Sequence, residues 1–336
     1  MRRDIVHQGA GNLTYEIREI VAVGRALRDL GVEMTWENIG DPVQKGEAPP
    51  EWIRDIVHGL VDEPQSWAYC DTEGVAETRE FLAARVNDRP GGVQITPNDI
   101  LFFNGLGDAV SKVYGQLRRE ARVLGPSPAY STHSSAESAS SGYPHLTYTL
   151  DPYNGWMPDV DDLRMKVKYN DAIAGILLLT PDNPTGAVYP RALLEEIAEI
   201  ARQHGCFIIT DEIYAHIVYG STRLHASEWV GDVPTLALRG ISKEYPWPGS
   251  RCGWIEILNR GRSVNDLVKE QLQSLMATPR LSRADLDRLR LHLVVRHQRL
   301  VTAREKLRPR SLYRQRHAIR AMLCRRSAQR PHRVLK

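Results

Sequence analysis

The chain has little cysteine and no long apolar run, and each absence excludes a class of protein. Its 336 residues include four cysteines, and none of them forms a CxxC pair. This spacing indicates neither a zinc site nor a disulfide framework, so we expect reduced thiols and no bound metal. The sequence also lacks a run of about 18 apolar residues that could span a bilayer, and a leading apolar segment with a cleavage site. We therefore expect a soluble, cytoplasmic protein with no membrane partner.

The charges are divided unevenly along the chain. Of 44 basic and 41 acidic residues, the segment 276–336 holds 18 basic residues, 16 of them Arg, and only 3 acidic ones, a net charge of +15. Residues 1–275 hold the other 26 basic and 38 acidic residues, a net charge of −12. The overall value of +3 hides this contrast between an acidic body and a basic tail. A division of this size requires its own explanation.

Short apolar runs alternate with longer amphipathic segments through the acidic body. Strands are predicted at 99–103, 175–179 and 206–210, where apolar residues follow one another without interruption. A helix is predicted from Pro190 to Gln203, because proline suits a first helical turn and leucine and isoleucine recur on one face. Strands that alternate with helices are typical of an α/β fold with a mostly parallel sheet flanked by helices.

Three short segments hold residues whose side chains could bind a ligand or take part in a reaction. The segment 180–186, Thr-Pro-Asp-Asn-Pro-Thr-Gly, follows the strand at 175–179, and Asp211 to Tyr214 follow the strand at 206–210. Open α/β sheets bind ligands at this carboxyl end of their strands. A carboxylate there needs a charged or hydrogen-bonding partner, and a pyridinium nitrogen would be one. The third segment, 240–254, places Lys243 and Arg251 eight residues apart in a loop rich in proline and glycine.

Together these segments resemble the class I/II aminotransferases, the fold-type I pyridoxal 5′-phosphate (PLP) enzymes. The likeness extends from about residue 39 to about residue 307 and depends on three motifs in the family's order and at about its spacing: Asn183-Pro-Thr-Gly, Asp211-x-x-Tyr214, and Ser242-Lys243 followed by Arg251. The resemblance implies a seven-stranded type of sheet and the transfer of an α-amino group between an amino acid and a 2-oxo acid.

The resemblance also implies a role for each motif residue. Lys243 would carry PLP as a Schiff base and later move a proton at the substrate Cα. Asp211 would pair with the pyridine nitrogen and so make the ring an electron sink. Asn183 and Tyr214 would hydrogen-bond the phenolic oxygen of the cofactor, and Arg251 would bind its phosphate through a bidentate guanidinium.

Weaker motifs extend the implied site. Gly105, Leu106 and Gly107 resemble the family's phosphate cup, with a helix predicted to begin near Asp108, and Ser242 joins the cofactor-binding set. Taken alone, a Gly-x-Gly turn before a helix has an equally good structural interpretation.

Three further positions each allow a functional and a structural interpretation. Tyr130 matches an aromatic that stacks on the pyridine ring, although a tyrosine half-buried in a proline turn would look the same. Tyr69 resembles the tyrosine that reaches the neighbouring subunit's phosphate, which would imply a homodimer with shared active sites. Gly40 resembles the loop that closes over the substrate, or belongs to an ordinary Gly-Asp-Pro turn. His133 and His216 have no partner at metal-ligand spacing, and we predict polar or core histidines.

The domain organisation expected from the resemblance is incomplete. We predict an amino-terminal arm and helix at 1–40, a large PLP-binding domain at 41–283, and an interdomain helix followed by an incomplete or aberrant small domain at 284–336. Family members continue further and use an arginine there to bind the substrate α-carboxylate. No residue can be assigned that role here.

Alternatives stay open for the tail and for the function. Beyond residue 307 the Arg-rich sequence favours a frameshift or truncation. A divergent small domain and a basic arm for nucleic acid are the second and third interpretations. We expect no nucleic-acid partner, since stacking aromatics are scarce in the tail. The alternative functions are a catalytically impaired PLP-fold protein that acts in binding or regulation through its tail, and a PLP-dependent lyase. The sequence does not identify the amino acid or the oxo acid.

Overall fold

The computed structural model describes residues 16–36 and 40–259. This part of the chain forms seven α-helices and eight β-strands. The helices are α1 (Glu16–Asp29), α2 (Glu51–Val61), α3 (Ala76–Asn87), α4 (Leu106–Gln116), α5 (Ser131–Ser141), α6 (Val160–Tyr169) and α7 (Arg191–His204). The strands are β1 (Ile100–Asn104), β2 (Arg122–Ser127), β3 (Leu146–Asp151), β4 (Met157–Pro158), β5 (Ile173–Leu179), β6 (Phe207–Asp211), β7 (Thr235–Gly240) and β8 (Cys252–Leu258).

The strands form one sheet in the order β1-β8-β7-β6-β5-β2-β3-β4. Five neighbouring strands, from β7 to β3, are parallel, whereas β8 is antiparallel to β7 and β1 on either side. The predicted mostly parallel sheet is confirmed. It differs from a sheet of seven strands by β4, a two-residue strand that pairs antiparallel with β3 at the edge. Because β8 alone reverses direction among the inner strands, the carboxyl ends of β1, β2, β5, β6 and β7 share one edge.

The predicted elements form where the apolar pattern placed them. The three predicted strands correspond to β1, β5 and β6, with bounds shifted by one or two residues, and the predicted helix corresponds to α7. All but one residue of β5 are buried, because helices cover both faces of a mostly parallel sheet. Helix α7 buries Leu194, Ile197 and Ile200 on the face that packs against the sheet, and it ends at Gly205 in the left-handed conformation.

Two apolar cores, one on each face, hold the sheet rigid. Alternate residues of β5 contribute to opposite cores, with Ile176 and Leu178 on one face and Leu177 and Leu179 on the other. This alternation follows from the pleat of a strand, whose side chains point to opposite faces in turn. The rigid sheet therefore fixes the positions of the loops that follow its strands.

Several predictions lie outside the described residues. These are the helix at 284–307, the basic tail and the boundary between 283 and 284. The large domain predicted for 41–283 is described as far as residue 259, and α1 lies within the segment predicted as an amino-terminal arm and helix. Among the described helices, none combines the length and the apolar content that crossing a bilayer requires.

Candidate active site

A cleft of about 1020 Å³ opens at the edge of the sheet where the five strands end. Loops that follow β1, β2, β5, β6 and β7 all contribute to its lining, together with α1 and the segment at 40–41. Ten of the twelve residues predicted from the sequence line this cleft: Gly40, Leu106, Gly107, Tyr130, Asn183, Asp211, Tyr214, Ser242, Lys243 and Arg251. Segments that are far apart in the sequence therefore meet in one place.

An anion site forms where β1 meets α4. Helix α4 begins at Leu106, two residues before the predicted start, and Gly105 precedes it with a φ of +81°. A Cβ atom at Gly105 would lie 2.4 Å from Nη2 of Arg251, so only glycine allows the guanidinium to come this close. The first amides of a helix have no partner within the helix, and the helix dipole favours negative charge beside them. The Leu106 and Gly107 amides therefore form a cup suited to a phosphate.

Arg251 is fixed by its own backbone and by two carbonyl groups. It has a left-handed φ of 53° and directly precedes β8. Its Nη1 donates a hydrogen bond to the carbonyl of Pro248 at 3.1 Å, and its Nη2 donates to that of Asn104 at 3.4 Å. Neither partner is charged, so the positive charge stays available to an anion in the cup.

Asp211 is the last residue of β6, and its side chain is held from two sides. Its Oδ1 accepts a hydrogen bond from the backbone amide of Ile213 at 3.1 Å, and its Oδ2 lies 3.0 Å from Nε2 of His133. His133 is 1% exposed, and its Nδ1 lies 3.5 Å from the hydroxyl of Tyr114. His133 is a buried histidine, as predicted, but its contact with Asp211 joins residues 78 positions apart, for which spacing gave no signal.

Tyr214 faces the cleft from the turn that follows β6. Burial, together with the negative charge of Asp211, raises the pKa of Tyr214 to about 12. The hydroxyl is therefore protonated at neutral pH and can donate a hydrogen bond to a phenolate oxygen.

Asn183 is presented by a turn that Asp182 organises. The amide of Asp182 donates to the carbonyl of Ala187 at 2.8 Å, and its Oδ2 accepts hydrogen bonds from both the amide and the hydroxyl of Thr185. Asp182 itself is buried, and burial raises the pKa of its carboxyl group. The turn places Asn183, but not Asp182, in the lining of the cleft.

Lys243 lies in the loop between β7 and β8, and its amine points across the cleft. Nζ donates a hydrogen bond to the backbone carbonyl of Gly40 at 3.0 Å. This contact brings the segment at 40–41 against the lysine. Ser242, the preceding residue, also lines the cleft.

The two aromatic residues singled out from the sequence lie in different places. Tyr130 lines the cleft directly before α5, where a stacking residue would be needed. Tyr69 is not among the lining residues and is 83% exposed. Its assignment to the active site of a neighbouring subunit stays a prediction.

These residues fit the charge distribution of pyridoxal phosphate. The phosphate dianion matches the cup beside Arg251. Any side chain at position 105 would extend into the space beside this guanidinium. The buried carboxylate of Asp211 would suit a pyridine nitrogen, and the amine of Lys243 would suit the aldehyde. Within 16–36 and 40–259, no group of three or more histidine, cysteine or acidic side chains is arranged to hold a metal ion.

The chain resembles aminotransferases in sequence. The profile of the family described as aminotransferase class I and II matches residues 35–303. An uncharacterized aminotransferase of Methanocaldococcus jannaschii is 58% identical over 285 residues, which cover 83% of this chain and 66% of that protein. A glutamate-pyruvate aminotransferase of Escherichia coli is 35% identical over 74% of this chain and 60% of its own length. This chain therefore spans less than two thirds of either relative.

Solved structures give the same fold. An alanine aminotransferase from Pyrococcus furiosus superimposes with a TM-score of 0.74 at 28% identity, covering 87% of this chain and 72% of that one. An aspartate aminotransferase from Thermus thermophilus superimposes with a TM-score of 0.73 at 21% identity, covering 88% of this chain and 73% of that one. The second likeness shows the fold alone.

Proposed function

Because the chain belongs to the aminotransferase class I and II family, we propose that it binds pyridoxal 5′-phosphate and transfers an α-amino group between an amino acid and a 2-oxo acid. One observation carries this proposal. Lys243, Asp211 and Arg251 come from three separate segments and line a single cleft. An amine, a buried carboxylate and a phosphate site in one cleft are the groups that this chemistry requires.

The bound cofactor would supply an electron sink for the bond broken at the substrate Cα. Lys243 would hold the cofactor and move the proton at Cα. Within residues 16–36 and 40–259 its amine donates to the neutral carbonyl of Gly40, so no charged partner from this part of the chain would have to be displaced. A lysine serves as a base when a neighbouring cation or burial favours its neutral form.

Asp211 would keep the pyridine nitrogen protonated, and His133 would hold Asp211 for this task. The carboxylate is buried, so its charge acts in a medium less polar than water. With Oδ1 bonded to the amide of Ile213 and Oδ2 beside His133, the carboxylate cannot rotate freely. Asn183 and Tyr214 would donate to the phenolic oxygen at the opposite side of the ring, and Tyr130 would cover one face of it.

The phosphate would be bound by the cup and by Arg251. Amides of Leu106 and Gly107 would donate to its oxygens, and the α4 dipole and the guanidinium would both favour its negative charge. This anchor holds the cofactor when it is not attached to Lys243.

The relatives suggest substrates to test first. Glutamate and pyruvate follow from the name of the Escherichia coli relative, and alanine follows from that of the Pyrococcus furiosus enzyme. We propose a homodimer in which Tyr69 reaches the neighbouring subunit, since this aromatic side chain is 83% exposed beside Trp67, which is 59% exposed. A cytoplasmic location is part of the same proposal.

Visible absorbance of the purified, PLP-supplemented chain tests cofactor attachment. The proposal predicts a band of bound cofactor that survives gel filtration and is lost in Lys243→Ala. Lys112→Ala is the matched control, because Lys112 pairs with Asp108 through its Nζ and lies outside the cleft lining. A wild-type chain without the band, or a Lys243→Ala chain that retains it, would overturn the proposal.

Product analysis then tests the reaction. Incubation with L-glutamate should release one equivalent of 2-oxoglutarate per bound cofactor, and pyruvate should then be converted to alanine. Release of ammonia with the oxo acid would instead indicate a lyase. A retained band without either product would leave a cofactor-binding protein and would contradict the transferase assignment.

A further inference from the structure

Side chains that do not line the cleft join three of the segments that form it. Glu212 directly follows Asp211, and Glu244 directly follows Lys243. His216 lies in the turn that carries Tyr214. Arg239, near the end of β7, lies between Glu212 and His216 in a chain of contacts. We call Glu212, Arg239, His216 and Glu244 the bridging chain, and none of the four lines the cleft.

The bridging chain is anchored at Glu212. Its Oε2 accepts a hydrogen bond from Nη1 of Arg239 at 2.8 Å, and its Oε1 accepts one from the backbone amide of Ala226 at 2.8 Å. Burial alone would raise the pKa of Glu212, but the hydrogen bond from His225 and the charge of Arg239 lower it to about 2. Glu212 is therefore ionised at every pH at which the chain would work, and it holds Arg239 firmly.

His216 connects this anchor to the lysine loop. Its Nε2 lies 3.2 Å from Nη2 of Arg239, and its Nδ1 lies 3.2 Å from Oε1 of Glu244. A guanidinium only donates hydrogen bonds, so the Nε2 lone pair is available to Arg239. His216 therefore lies between Arg239 and Glu244, with one ring nitrogen towards each.

Two guanidinium groups lie against the ring of His216. Arg239 lies at one ring nitrogen, and Nη1 of Arg223 lies 2.6 Å from the other, so an added proton would face two cations. Burial and the charge of Arg239 lower the pKa of Arg223, in agreement with crowding of positive charge. Glu244 is the acidic group beside the ring, and the ring of His225 lies 5.8 Å away.

We propose that His216 is a positioning residue, which fixes Lys243 relative to Asp211 and Tyr214 by holding Glu244 to Arg239. The meaning of this role for catalysis depends on the proposed function, but the effect on the loop does not. The Lys243 loop lies between β7 and β8, and its backbone hydrogen bonds include those of Ile241 and Tyr245. A side-chain bridge adds the precision that reacting groups require, since errors of about 1 Å in their placement slow reactions markedly.

Two variants of His216 separate positioning from packing. His216→Leu removes both hydrogen bonds, whereas His216→Gln keeps an amide that donates to Glu244 and accepts from Arg239. His204→Leu, at the exposed end of α7, is the control. The first measurement is deuterium exchange of the 241–251 amides in the PLP-free full chain. We expect faster exchange in His216→Leu alone, with a thermal unfolding midpoint close to wild type.

The second measurement is PLP affinity by fluorescence titration. We expect about a tenfold weaker affinity in His216→Leu and recovery to within about threefold of wild type in His216→Gln.

The outcomes test the positioning role of His216 separately from the proposed PLP-dependent function. Unchanged exchange of residues 241–251 in His216→Leu overturns the positioning role whether or not PLP binds. Equal loss of affinity in the Leu and Gln variants would also overturn it, because it would show that the ring is needed only for packing. If the wild-type chain binds no PLP, the proposed function fails, and the exchange measurement alone decides on the loop.

Discussion

Two groups of charged side chains lie close together at the carboxyl ends of β6 and β7, and they differ in how their charges are matched. The first is the buried ion cluster, which consists of Arg89, Glu212, His225, Arg239 and Glu256. The second is the cleft with Lys243, Asp211 and Arg251. In the cluster each carboxylate has a guanidinium partner, whereas in the cleft Lys243 and Arg251 donate to backbone carbonyls. The paired charges of the cluster stabilise the fold, whereas the positive charges of Lys243 and Arg251 stay available to a ligand.

The contrast is sharpest at Asp211 and Glu212, which are neighbours in sequence. Successive side chains of an extended segment point in opposite directions, so one carboxylate lies in the cleft and the other in the cluster. Glu212 meets Arg239 and His225, whereas Asp211 meets His133. One step along the chain therefore separates a carboxylate that is paired inside the fold from one that lines the cleft.

Removing the cluster's central carboxylate should have the largest effect on stability. Glu212→Ala leaves Arg239 buried without its ionic partner, and breaking a buried pair in this way costs about 3–5 kcal/mol. We expect the free energy of unfolding from urea denaturation to fall by that amount at pH 7. The neighbouring variant Asp211→Asn is the control. Its amide oxygen still accepts the Ile213 hydrogen bond, so it should cost about 1 kcal/mol or less. Equal losses in the two variants would show that the two carboxylates are not divided as described.

The sequence predicted the cleft better than the cluster. The motif segments of the cleft follow β1, β5, β6 and β7, and the common direction of those strands brings the segments together. Arg251 reaches the same edge because it directly precedes the antiparallel strand β8. The pairs of the cluster depend instead on how distant segments pack. Arg89 and Glu256 are 167 positions apart, and their contact follows from the position of α3 relative to β8. No spacing in the sequence contains that information.

The sequence pattern also did not predict where α4 begins. The Gly-rich turn predicted a phosphate cup, but the pattern placed the helix start near Asp108 rather than at Leu106. The earlier start depends on the φ of Gly105 and on the guanidinium that lies against it, which is a contact with a residue of another loop. Local propensity fixes the presence of an element, and tertiary contacts fix where it begins.

Acid should weaken the cluster. Burial and the charge of Arg239 lower the pKa of His225 to about 4 from its ordinary value of 6.5. The unfolded chain binds a proton there at a higher pH than the folded chain, so stability falls as the pH decreases from about 6.5 to about 4. The loss should reach about 3 kcal/mol by pH 4. Glu212 adds a further decrease below about pH 4.5, because its pKa in the fold is about 2.

Urea denaturation at a series of pH values measures this decrease, and His225→Gln isolates the contribution of His225. Glutamine can donate to Glu212 but does not titrate, so the curve of unfolding free energy should become flatter between about pH 6.5 and about pH 4. The same slope in the variant would assign the acid sensitivity to other groups.

Gly105→Ala should produce the smallest change in stability and should act on the cleft. A φ of +81° with a ψ of 164° is nearly restricted to glycine, and forcing alanine into it costs about 1–3 kcal/mol. The new Cβ would also displace the Arg251 guanidinium from the phosphate cup, since it would lie 2.4 Å from Nη2. We therefore expect a loss of PLP affinity larger than the change in stability explains.

The control for Gly105→Ala lies in the same helix. Gly115→Ala introduces a Cβ that meets no atom within 4 Å, and alanine in a helix is favoured over glycine by about 0.5–1 kcal/mol. This variant should bind PLP as wild type does and unfold at a slightly higher urea concentration. If Gly105→Ala loses stability but keeps wild-type affinity, then Arg251 does not bind the phosphate from its observed position. The unpaired charge of the cleft would then require a different ligand.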